Sequence, residues 1–193
     1  MSPPRIGVLA LQGAYDAHGS TLRRLHAEPI LIRLPAQLDG LDGLIIPGGE
    51  SSTFLNHLER DGFFDALDHF VRATPTFGTC AGAILLAKEV HNPSQRSLAA
   101  LDISIERNAY GRQIDSTILS APTQLPGGPL EMVFIRAPRI TAVGPSVEVL
   151  ASRDSSPVLV RSGFLLAATF HPELGSDPRV HQLFLEIVNA HRR

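Results

Sequence analysis

Pro75-Thr76-Phe77-Gly78-Thr79-Cys80-Ala81-Gly82-Ala83-Ile84-Leu85-Leu86-Ala87 decides the fold. Pro75, Thr76 and Phe77 read as a short buried strand, and the apolar run from Ala83 to Ala87 reads as the start of a helix. Between them Gly78-x-Cys80-x-Gly82 is the thiol version of a nucleophile elbow. A side chain at the tip of a tight strand-to-helix turn sits in strained backbone. Only very small residues two positions away let strand and helix come close enough. The free N–H groups and positive end of the following helix then favour a thiolate and offer donors to an oxyanion.

Composition narrows the class. The chain has 193 residues, 44% hydrophobic and 19% charged, with a net charge of −2. These values suit one globular domain spanning 1–193 and give no reason to expect nucleic acid as a partner. No apolar stretch is long enough to span a bilayer, and the N-terminus enters a strand with no export signal. Cys80 is the one cysteine, so no internal disulfide forms, and a cytoplasmic location is expected. The eight histidines are scattered without metal-ligand spacing, so no metal site is expected.

On either side of the elbow the chain alternates strands and helices. Apolar runs at 6–11, 30–32 and 43–46 predict three strands, with a helix over 16–27 between the first two. Ser51 and Ser52 are candidate caps for a helix over 53–60, and a further helix spans 63–73. This order predicts a parallel sheet with crossover helices. After Lys88 the pattern becomes short strand-like runs at 101–106, 114–120, 131–135, 147–151, 158–161 and 164–170. They read as antiparallel additions, some grafted onto the parallel core and some forming its edge. Asp177-Pro178 starts a final helix, whose stripe of Val180, Leu183, Phe184, Ile187 and Val188 should lie on the sheet.

His171-Pro172-Glu173 follows the last strand, as Cys80 and Pro47-Gly48-Gly49 follow theirs. In open α/β sheets such strand ends meet in one crevice. There His171 is placed to take and return the thiol proton, and Glu173 to hold the imidazole tautomer. The paired glycines Gly48-Gly49 allow a backbone N–H to face a ligand. Pro126-Gly127-Gly128-Pro129 has paired glycines too, but no helix follows, and it reads as a turn. No P-loop is present. Arg107 and Arg136 read most simply as surface arginines, with partner contact or capture of a carboxylate as the functional alternative.

The Gly-Thr-Cys-Ala-Gly elbow and downstream His-Pro-Glu resemble the class I triad glutamine amidotransferases. Four further motifs narrow the resemblance to the glutaminase subunits of pyridoxal 5′-phosphate synthase. They are Gly7-Val8-Leu9-Ala10-Leu11-Gln12-Gly13, Ile46-Pro47-Gly48-Gly49-Glu50-Ser51-Ser52, Glu106-Arg107-Asn108-Ala109-Tyr110-Gly111-Arg112-Gln113 and Phe134-Ile135-Arg136-Ala137-Pro138. The resemblance implies a flavodoxin-like three-layer α/β/α domain that hydrolyses L-glutamine, with no cofactor or metal of its own. It further implies Cys80 as nucleophile, His171 as acid/base and Glu173 as its orienter. Gly49 and Ala81 would supply the oxyanion N–H groups, and Gly49, Glu50, Ser51, Arg107, Ile135 and Arg136 would bind glutamine. Gln12 would meet a (β/α)₈ synthase subunit that receives the ammonia through a tunnel. Ser52 and Ala83 depart mildly from the family pattern, and residues 122–129 match nothing in it. A DJ-1/PfpI-type cysteine hydrolase or stress protein and a non-enzymatic flavodoxin-like module with an inert Cys80 are the alternatives. The first generally carries an early-strand acid near its cysteine and lacks His-Pro-Glu.

Overall fold

A computed structural model describes residues 2–60, 62–108 and 117–193. The first half is built from β1 (Arg5–Leu9), α1 (Tyr15–Arg24), β2 (Glu28–Ile32), β3 (Gly43–Ile46), α2 (Ser51–Leu58), α3 (Phe63–Val71), β4 (Thr76–Thr79) and α4 (Ala81–Leu86). The second half adds β5 (Ala87–His91), β6 (Leu101–Glu106), β7 (Thr117–Ala121), β8 (Leu130–Phe134), β9 (Arg139–Val143), β10 (Glu148–Arg153), β11 (Ser156–Ser162), β12 (Leu165–Ala168) and α5 (Arg179–His191).

The main sheet runs β10-β11-β12-β4-β3-β1-β2. Its five strands from β12 to β2 are parallel, and β10 and β11 extend it antiparallel. Strands buried on both faces need apolar residues at every position, and their side chains alternate between two cores. Leu44, Ile46, Leu165 and Ala167 join the core under α2, α3 and α4. Ile45, Leu166, Ala168 and Phe77 join the core under α1 and α5. Helices on both faces of a mainly parallel sheet give the expected three layers.

Several expectations shift for local reasons. β1 stops at Leu9, and the chain turns through Gln12 and Gly13. β2 begins before Pro29, which a sheet-edge position tolerates because its missing N–H breaks no ladder. The cap of α2 is Glu50, not Ser51 or Ser52: its carboxylate accepts from Ser52 N at 3.0 Å and Thr53 N at 2.7 Å. Two carboxylate oxygens reach two orphan N–H groups, where a serine hydroxyl reaches one. α5 starts one residue late, and the Asp177 carboxylate still accepts from Arg179 N at 3.0 Å.

The additions are less uniformly antiparallel than expected. β5 pairs with β6 in parallel, β9 joins β6 antiparallel, and β7 and β8 form a separate ribbon. Residues 114–116 of the expected strand, and 109–113 of the third motif, lie outside the described residues. Residues 122–129 gain an anchor in Arg179, whose guanidinium donates to the carbonyls of Pro126, Gly128 and Pro129 at 2.6–2.9 Å. The main sheet thus presents the ends of β1, β3, β4 and β12 side by side.

Candidate active site

Cys80 sits at the joint of β4 and α4 with φ 49° and ψ −104°, off the common basins. The Cys80 N–H donates to Ala168 O at 2.8 Å, which ties the elbow to β12. The flanking glycines do what their size allows. A Cβ on Gly78 would lie 2.6 Å from the Gly82 backbone, and one on Gly82 would collide with the Ile46 carbonyl. Strand, helix and neighbouring strand therefore meet backbone to backbone, and Cys80 stays 6% exposed.

His171 reaches the same place from the end of β12. Its N–H donates to Val133 O at 2.8 Å, and a tight 3₁₀ turn over Pro172–Leu174 brings Glu173 back beneath the ring. Nδ1 of His171 lies 2.8 Å from Glu173 Oε1, leaving Nε2 for the sulfur. Burial opposes charge on this imidazole, but hydrogen bonds and charge interactions with Cys80 and Glu173 outweigh it and raise its pKa to about 10. The ring is therefore poised as an imidazolium, the proton donor that a leaving nitrogen requires.

Gly48 and Gly49 close one side. Gly48 has no room for a side chain between His171 and Cys80. Gly49 has φ 142°, a conformation only glycine adopts readily. A Cβ there would lie 2.9 Å from the Gln12 side-chain amide. That amide donates to Glu50 O at 2.8 Å, so Gln12 grips the backbone on both sides of the Gly49–Glu50 bond. Burial raises the Glu50 carboxyl, but hydrogen bonds from Thr53 and Ser52 pull it down to about 2.

A cleft of about 340 Å³ opens over Cys80 and His171 and is bounded by Gly48, Gly49, Glu50, Ser51, Arg107, Ile135 and Arg136. All the glutamine-binding candidates therefore share one cavity with the thiol. Arg107 is not a loose surface arginine. Its guanidinium donates to Ser52 Oγ at 2.6 Å and lies 3.6 Å from Glu50 Oε1. Arg136 holds a positive φ of 45° at the cleft wall. Ala81 is buried at the first position of α4, directly after the thiol. Gln12 meets the cleft through Gly49 and Glu50.

Residues 8–190 match the model of the SNO glutamine amidotransferase family. The chain belongs to that family. It is 62% identical over 184 residues to a pyridoxal 5′-phosphate synthase subunit PdxT from Koribacter versatilis, covering 95% of each chain. The subunit of the same name from Thermotoga maritima is 49% identical over 187 residues, 95% of this chain and 99% of that one. A crystal structure of a glutamine amidotransferase superposes with a TM-score of 0.87 at 45% identity, covering 95% of this chain and 98% of the other.

This amidotransferase site also holds residues that the motifs pass over. Ala14, Ile84 and Leu174 line the cleft. Behind Glu173, His18 and His181 are fully buried. The helical spacing His18, Leu22, Leu25 and that of His181, Phe184, Val188 put both imidazoles on apolar stripes, a signal available in the sequence. Among the described residues, no group of three or more His, Cys, Asp or Glu side chains is placed to hold a metal ion, and no helix is long and apolar enough to cross a membrane.

Proposed function

We propose that this chain is the glutaminase subunit of a pyridoxal 5′-phosphate synthase, hydrolysing L-glutamine to L-glutamate and ammonia through Cys80, His171 and Glu173. The observation that carries this is the imidazole of His171, held by Glu173 at 2.8 Å and lining the same cleft as the Cys80 thiol. The Cys80 thiolate attacks the side-chain carboxamide carbon of glutamine. Negative charge moves to the carboxamide oxygen, which the N–H groups of Gly49 and Ala81 stabilise. His171 Nε2 gives its proton to the nitrogen, the C–N bond breaks, and ammonia leaves. Neutral His171 then takes a proton from water, which attacks the glutamyl thioester, and the proton returns to the thiol–imidazole pair as glutamate departs. Glu173 keeps the Nδ1–H tautomer throughout. Glu50, Ser51, Arg107, Ile135 and Arg136 hold the amino-acid end of the substrate, with the arginines suited to its carboxylate.

The ammonia passes to a (β/α)₈ synthase subunit that docks near Gln12, and the two chains act in the cytoplasm. Residues 1–193 act as one glutaminase domain. Likeness to the PdxT subunits supports the partner, and the His171–Glu173 pairing favours this reading over a DJ-1/PfpI-type hydrolase. The deciding experiment is Cys80→Ala. The variant should fold normally, release no glutamate, and still support pyridoxal phosphate formation by the synthase when an ammonium salt is supplied. Steady glutamate release by the pure variant would overturn the mechanism.

A further inference from the structure

The triad is backed by a second row of buried polar groups. Glu173 Oε1 is taken by His171, but Glu173 Oε2 is buried with no hydrogen-bond partner among the described residues. It faces His18 Nε2 at 3.4 Å, and the same nitrogen lies 3.4 Å from Thr79 Oγ1, one residue before the nucleophile. On its other side, His18 Nδ1 lies 2.9 Å from His181 Nε2. Both imidazoles are fully buried on helices of opposite ends of the chain, α1 and α5. The Phe77 ring meets both nearly edge-on, at 88° to His18 and 86° to His181.

Which nitrogens carry protons follows from what each would otherwise face. A lone pair on His18 Nε2 would point at the Glu173 carboxylate, which is repulsive. A proton there instead gives Oε2 its donor. His18 Nδ1 must then accept, so His181 Nε2 carries the proton between them. His181 Nδ1, which is buried without a partner, is left as a bare acceptor and not as an orphaned N–H. Burial, then the nearby His181 and His171, hold the His18 pKa well below its ordinary value, and burial with Arg24 holds that of His181 at about 4. His18 is accordingly a neutral donor that leaves the Glu173 charge available to His171.

We propose that His18 is a positioning residue of this active site, holding the free oxygen of Glu173 through Nε2–H, with His181 fixing the His18 tautomer. The proposal rests on Glu173 being the orienter of His171. Without the His18 contact, Glu173 can rotate and lose its alignment with His171 Nδ1, so the effect belongs in turnover and not in glutamine affinity.

The test uses the glutaminase assembled with its synthase partner. His18→Leu keeps the bulk and removes the donor, and His18→Gln keeps an N–H where Nε2 sits. Losing one hydrogen bond to a charged group predicts a fall in kcat on the order of ten- to a hundredfold for His18→Leu, with KM unchanged. The pH dependence of Cys80 alkylation by iodoacetamide should shift with it, and His18→Gln should recover most of both. In a Glu173→Gln background, His18→Leu should add less than about twofold. Equal losses in His18→Gln and His18→Leu, or the same loss in both backgrounds, would overturn the proposal and assign His18 to packing alone. A harmless Glu173→Gln would instead overturn the triad reading beneath it. Should His18→Leu not fold, ¹⁵N spectra of the unaltered protein decide: a His18 proton on Nε2 supports the proposal, and one on Nδ1 refutes it.

Discussion

Gly48→Ala adds one methyl group to the gap between His171 and Cys80, the proposed base and nucleophile. Backbone conformation does not forbid it, since Gly48 lies outside the left-handed region. Space does: an ideal Cβ would lie 2.5 Å from His171 Cε1 and 3.1 Å from Cys80 Cβ. Non-bonded carbons rest at about 3.5–4.0 Å, so the ring or the turn must retreat by about 1 Å. Misplacing a catalytic group by about 1 Å costs about a hundredfold, or about 2.7 kcal/mol of barrier. Overpacking of this kind costs the fold only about 1–3 kcal/mol, and a chain of this size loses about 2–4 °C of Tm for each. The expected variant is thus folded at room temperature and slowed about a hundredfold in glutamate release with the synthase present. Turnover within threefold of the parent would show that His171 and Cys80 do not act from the positions described.

His171→Asn should cost several orders of magnitude in kcat, and Glu173→Gln less, because in the proposed mechanism one residue moves the proton and the other aims it; the reverse order in steady-state glutamate release would refute the roles. In Cys80→Ala, burial still opposes charge on His171 while one of its two supporting partners is gone, so its NMR titration midpoint should fall from about 10; an unchanged midpoint would refute the contact. In the parent, the folded chain keeps the His171 proton that the unfolded chain releases near its ordinary value of 6.5, so the stability it lends is complete below that pH and is lost as pH rises through about 10. The glutaminase should be slow alone and fast with its synthase partner, and equal glutamate release in both conditions would sink that expectation.

The elbow was readable in the sequence because its spacing encodes a steric demand: two glycines, two residues either side of a cysteine, have one common use. β3 kept its expected bounds because four apolar residues between turn signals leave little choice. β5 and β9 were not readable. Only Ala87 and Val90 of β5 are buried, and only Ile140 of β9, so neither shows more than a fragment of period. Both are strands because β6 lies between them, a fact of tertiary pairing. Glu50 is not legible as the cap because the serines beside it meet the usual preference, and the longer carboxylate reaches Ser52 N and Thr53 N only in the folded turn. His18 and His181 were hidden differently: each interrupts an apolar stripe, and only the fold shows the two interruptions meeting behind Glu173.

The turn at Gln12-Gly13 braces the Gly48–Gly49 peptide. Gly13 lacks a side chain where the Gly48 carbonyl lies against it, and Gln12 holds Glu50 O at 2.8 Å while packing on Gly49. The Gly48–Gly49 peptide, whose N–H is proposed to receive the oxyanion, therefore cannot turn without disturbing this corner. On its far side the peptide runs into Glu50, fixed by the N-terminus of α2. A partner pressing on the end of β1 thus acts on a short, braced segment, and size decides how far Gln12 alone can carry the effect. One hydrogen bond to a backbone carbonyl is worth about 0.5–1.5 kcal/mol net, a bias of at most about tenfold. An absent oxyanion donor costs about a hundred- to a thousandfold. Gln12→Ala should consequently remove about tenfold of the activation when the synthase still binds. A loss of a thousandfold would mean that Gln12 holds more than this one contact, and no loss would place the route elsewhere, through the Gly13 contact.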